Sequence, residues 1–152
     1  MREYHIYIIQ ESIASEFYGM ETKLFQLFQE NREAKGKLKE ATDKQIAFVA
    51  GGIRKSELHT HLKQHLKNTE GYILSENKHF IMSPDRRSQS ALSIYEKHLK
   101  LFSEGTQDSE ACFFEALRQF HPYFIAMDFK ENSYGWLKPF KTMEMAQHHK
   151  MS

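Results

Sequence analysis

One cysteine, one tryptophan, three prolines and seven glycines stand in 152 residues. Each shortage excludes something. A lone thiol, Cys112, closes no internal disulfide and builds no cysteine-rich zinc site, and such usage fits a reducing cytoplasm. The chain has no run of about eighteen apolar residues, so no membrane-spanning helix is expected. Its opening, with Arg2 and Glu3 ahead of a short apolar run, lacks the form of a signal peptide. An excess of charge of one sign is missing too. Lys and Arg total 21, Asp and Glu total 20, and the formal net charge is +1. Even the local run Lys35, Lys37, Lys39 is flanked by Glu33, Glu40 and Asp43, as on a solvated mixed-sign face. A nucleic-acid binder needs a basic stripe to displace counterions from phosphates. Direct nucleic-acid binding is therefore not expected.

The chain does have rings. Twelve Phe and seven Tyr raise the aromatic share to 13%, too large an apolar payload for a disordered chain. At this length one domain buries roughly 70% of the surface its unfolded chain exposes, so a single real core is expected.

Hydrophobic spacing gives the elements. Tyr4, Ile6 and Ile8 alternate with His5, Tyr7 and Ile9, which predicts a strand buried on both faces and ending at Gln10. Ile13/Phe17 and Ala14/Tyr18 predict a short helix ended or kinked by Gly19, and Leu24, Phe25, Leu27 and Phe28 a second from Glu21 to about Glu33. Ala34 to Lys39 reads as a charged connector. Thr42 to Gln45 has the form of a capping box opening a third helix, which Gly51-Gly52 stops. Leu58, Leu62 and Leu66 mark a fourth. Two hairpins follow, one joining 72–74 to 80–82 and one joining 92–94 to 99–101. Asp108 is placed to cap a fifth helix from Ser109 to about Phe120, with Ala111, Phe114, Leu117 and the Arg118 stem as its core stripe. Strands at 124–129 and 134–137 close the domain, and 142–152 reads as a frayed tail. The sum is a single α+β domain over 1–141, largely an antiparallel sheet packed against several short helices.

Few residues offer chemistry. His59, His61 and His65 are the best metal candidates, because His61 and His65 stand four apart on a helix, yet Glu57 is the one acid near enough to join them. A metal-dependent enzyme centred on His61/His65 is the alternative reading. No phosphate-cradling loop and no nucleophile elbow is present. Cys112 reads as a structural thiol, and Asp128, in an apolar strand, as a carboxylate satisfied by the amides of the next turn. No catalytic constellation, cofactor or small-molecule substrate is implied. Surplus apolar surface is. Gln45 and Phe48 fall outside the Ile46, Val49, Ala50 stripe of their helix, and the first short helix carries two apolar stripes where one is usual.

The run Phe124-Ile125-Ala126-Met127-Asp128-Phe129, followed by Tyr134-Gly135-Trp136-Leu137-Lys138-Pro139, resembles the signature of the SirA family. Members are sporulation inhibitors of replication in endospore-forming bacteria. The opening strand, Phe17-Tyr18-Gly19, Leu27-Phe28-Gln29, Lys44-Gln45-Ile46 and Phe113-Phe114-Glu115-Ala116-Leu117 agree with it. The resemblance implies a non-enzymatic inhibitor that binds the N-terminal domain of the replication initiator DnaA. It assigns Ile13, Phe17 and Gln45 to the partner-facing surface, where Ile and Phe replace an aromatic and a tyrosine of the family pattern. Phe48 joins them by helical adjacency to Gln45.

Overall fold

A computed structural model describes residues 1–16 and 19–138. The element order is β1 (Arg2–Ile9), α1 (Glu11–Glu16), α2 (Glu21–Glu33), α3 (Gly36–Val49), β2 (Ala50–Gly51), α4 (Lys55–Leu66), β3 (Tyr72–Ser75), β4 (Lys78–Met82), β5 (Ser88–Ile94), β6 (Leu99–Gly105), α5 (Asp108–Phe120), β7 (Phe124–Asp128) and β8 (Ser133–Trp136). The strands form one sheet in the order β3-β4-β5-β6-β1-β7-β8, with β2 paired to the end of β1. Every pairing is antiparallel. This is the single α+β domain that the spacing predicts.

The sheet has two unequal faces. On one, Tyr4, Ile6 and Ile8 of β1 pack with Leu58, Leu62 and Leu66 of α4 and with Phe113, Ala116 and Leu117 of α5. On the other, Ile9, Ile125, Met127 and Trp136 pack under Leu24, Phe25 and Phe28 of α2 and Val49 of α3. Alternation puts successive side chains of β1 into different cores, which is why that strand reads as apolar on both sides. The second helical layer lies over β1, β7 and β8. Over β3 to β6 no element among the described residues covers the same face, and Ile73, Phe80 and Met82 are exposed there.

Three expectations are corrected. The third helix begins at Gly36, not at Thr42. Thr42 is buried in mid-helix, and its hydroxyl donates back to the carbonyls of Leu38 at 2.9 Å and Lys39 at 3.2 Å while accepting from Asn31 Nδ2 at 2.9 Å. That contact with α2 gives the threonine a partner no local pattern reveals. The expected connector thereby shrinks to Ala34-Lys35. In α5 the core stripe is Phe113, Ala116 and Leu117, while Ala111 is exposed and Phe114 only half-buried. The helix is rotated because Ser109 and Glu110 are drawn inward, Ser109 by the hydroxyls of Ser88 and Ser90 at 2.6 Å each and Glu110 by Arg2 and Tyr4. Finally, Ala50-Gly51 not only ends α3 but pairs with Ile9 and Ile8.

Candidate docking surface on the third helix

The junction of β1 with α1 fixes where α3 ends. Gln10 donates its backbone N–H to the Val49 carbonyl at 2.9 Å, and its carbonyl accepts from the amides of Ile13 and Ala14. With β2 paired to β1, the start of α1 is tied to the last turn of α3. Sequence positions more than thirty apart are thus brought to one side of the molecule.

Phe48 is 68% exposed. Gln45, one turn earlier on α3, is exposed beside it. Ile13 is different. It is 8% exposed and packs in the core with Ile9, Ala14 and Val49, so its assignment to an open surface is corrected: its turn of α1 faces the sheet. Phe17 and Tyr18 lie outside the described residues, as does the 142–152 tail.

The exposed strip on α3 is longer than the sequence suggests. Leu38 (51% exposed) and Ala41 stand outside the core as well. Leu38, Ala41, Gln45 and Phe48 are spaced three, four and three apart, the period of a seam against which another helix can lie. The spacing was visible in the sequence, but reading 34–39 as a connector hid its first member.

The histidines have other partners. His61 Nε2 donates to the Ala116 carbonyl at 2.8 Å, a tie between α4 and α5. His65, 5.6 Å away ring to ring, is exposed. His59 Nδ1 lies 2.9 Å from Nε2 of His79, whose Nδ1 is 2.8 Å from the Tyr72 hydroxyl. Among the described residues no group of three or more His, Cys, Asp or Glu is placed to hold a metal ion. Burial pulls the His79 pKa down to about 4, helped by the neighbouring charges of His59 and Lys63. His5, under α2, is pulled to about 4 by burial and by Arg32. Both rings are neutral structural members at neutral pH.

The remaining polar residues of interest are also accounted for. Asp128 Oδ1 accepts from the amides of Lys130 at 3.1 Å and Glu131 at 3.2 Å, the turn contacts expected of it. Cys112 is half-buried, and burial pushes its thiol pKa up, away from a nucleophile's range. No helix among the described residues is long and apolar enough to cross a membrane.

The strip thus offers apolar area and one neutral amide. A family model described as "Sporulation inhibitor of replication protein SirA" matches residues 2–141. The chain belongs to the SirA family. A curated relative, "Sporulation inhibitor of replication protein SirA" from Bacillus subtilis (strain 168), is 32% identical over 142 residues, covering 92% of this chain and 95% of the relative. The SirA match takes in α1, all of α3 and Trp136, so the exposed strip lies within the family's common domain rather than in an added segment.

Proposed function

We propose that this protein is a non-enzymatic inhibitor of DNA replication initiation during sporulation, acting in the cytoplasm by binding the N-terminal domain of DnaA. The docking surface is Gln45 and Phe48 of α3 together with Phe17, the residue after α1 in the sequence. Ile13 holds α1 in place from within the core. Membership of the SirA family supports the role. The observation that carries the docking reading is a phenyl ring, Phe48, left 68% exposed beside the exposed Gln45 amide on a helix that is held to the core through Thr42 and Val49. An aromatic anchor gains by leaving water, and an amide enforces register because an unmatched partner atom costs free energy once buried.

Calorimetric titration against the DnaA N-terminal domain of the same organism tests this. The parent is expected to bind. Phe17→Ala is expected to weaken binding about thirty-fold or more, the equivalent of about 2 kcal/mol for a truncated aromatic anchor. Gln45→Ala is expected to weaken it by about 1–3 kcal/mol. Circular dichroism matching the parent's is required of both variants. A parent that does not bind, or variants that bind as it does, would overturn the proposal.

A further inference from the structure

On the open half of the sheet, pairing sets four apolar side chains in a single row across four strands. Ile73 of β3 is opposite Phe80 of β4, Phe80 opposite Ala91 of β5, and Ala91 opposite Phe102 of β6. Ile73 is 61% exposed and Phe80 38% exposed, while Ala91 and Phe102 are half-buried. The row is not level. Over Ala91 there is a hollow of about 160 Å³, walled by Phe102, Gln89, Glu104 and Met1. Beside it Phe80 is exposed, with the Lys78 ammonium 5.8 Å from its ring centroid and a second hollow of about 370 Å³ at Ile73 and Met82. One side of this face is bounded by the α2/α3 layer, and the other ends at β3, an edge strand (Tyr-Ile-Leu-Ser) with no charged residue to deter pairing.

We propose that this face binds a second copy of the chain, sheet on sheet, about a two-fold axis parallel to the strands and lying between β4 and β5. Three features select this occupant. First, the axis sets Phe80 of each copy over Ala91 of the other, so an exposed ring enters a hollow large enough for a phenyl group, and Ile73 falls over Phe102. Second, no two like charges stand directly opposite. The next row toward the β3–β4 turn sets Lys78 over Ser93 and Lys100 over Ser75, and the row on the other side sets Met82 over Gln89 and Glu104 over Gly71. Third, the helical layers clear one another. Each copy's α2/α3 layer lies beyond the free β3 edge of its partner, whereas an axis running across the strands would drive the two layers into the same space. Sheets stacked face to face lie about 10 Å apart.

Four strands and three rows span roughly 20 by 20 Å, about 800 Å² over the two copies, which is below the ~1,200 Å² of a stable interface and in the range of weak, transient contacts. The dimer is therefore weak and concentration-dependent. It uses none of the α3 strip, so DnaA binding and self-association are separable. Sedimentation velocity of the full chain across about 10–500 μM reads it, the mass expected to rise from 18.0 kDa toward twice that value. Ala91→Glu fills the hollow and is expected to keep the protein monomeric throughout, with circular dichroism unchanged. Phe80→Ala removes the knob without adding charge and is expected to weaken association at least ten-fold. A parent that stays monomeric overturns the proposal. So does a dimer that both variants leave intact, which would point to pairing along the β3 edge, and so does a mass that grows past the dimer.

Discussion

Trp136 and Glu21 meet across 115 positions of sequence: the indole Nε1 donates to Oε1 of the carboxylate at 3.2 Å. Both side chains are buried, and the same Oε1 accepts the Gly19 backbone N–H at 3.1 Å. One carboxylate at the first turn of α2 thus ties the last strand to the loop that leads out of α1. The tryptophan is buried in the core beneath α2. Trp136→Ala is expected to cost roughly 3–5 kcal/mol, the usual loss for a large buried ring. Glu21→Ala removes the acceptor of the buried Trp136 indole and of the part-buried Gly19 bond and is expected to cost about 1–3 kcal/mol. Urea denaturation measures both, and an unchanged midpoint in either variant would contradict the assignment.

Ile13 and Phe48 should separate stability from binding. Ile13→Ala empties a core site and is expected to lower stability by about 2–5 kcal/mol. Phe48→Ala, at a ring 68% exposed, should leave stability within about 0.5 kcal/mol. The order reverses for DnaA, where Phe48→Ala is expected to weaken binding and Ile13→Ala to act only through the fold. Thermal melts beside titrations show whether the two effects divide in this way.

Acid should loosen the fold through His5 and His79. Both have folded pKa values of about 4, below the ordinary histidine value near 6.5, because burial disfavours the charged ring. The unfolded chain therefore binds more protons between those limits. The stability each neutral ring contributes is complete above about pH 6.5 and drains away as pH falls toward 4, by up to about 3 kcal/mol per ring. His79→Gln should flatten part of this slope. Melting temperature followed from pH 7.5 to 4.5 gives the comparison, and parallel curves would rule His79 out.

Gly105 should tolerate no side chain. Its φ is +79°, and a Cβ there would lie 1.8 Å from the Arg87 carbonyl oxygen. That oxygen also accepts the Thr106 N–H at 2.9 Å where β6 leaves the sheet. Gly105→Ala is expected to destabilise by roughly 2–4 kcal/mol, combining left-handed backbone strain with a backbone clash. A variant as stable as the parent would show that the strand end relaxes freely.

The strands and most helices were legible because their period is local. Tyr4, Ile6 and Ile8 show β1 without any knowledge of its neighbours, and Leu58, Leu62 and Leu66 show α4. What escaped was set by distant partners. Thr42 looked like a cap until Asn31 of α2 supplied its hydrogen bond, and α5 turned on its axis because Ser88, Ser90 and Arg2 pull at its first turn. The candidate surface was half legible for the same reason. Periodicity puts Gln45 and Phe48 outside one stripe, but only the tie between Gln10 and Val49 reveals that Ile13 belongs inside.

The place of β1 in the sheet also sets the timing of folding. β1 is an inner strand, and its neighbours β6 and β7 are made about a hundred residues later. Until then β1 has only the short β2 to pair with, and its apolar faces wait on helices and strands still being synthesised. Pairings this distant in sequence form late, because loop closure must come first. The nascent chain therefore stays open to chaperones and proteases until β7 and β8 are free of the exit tunnel, and a premature stop before Phe124 should leave a product that is degraded rather than a smaller working domain.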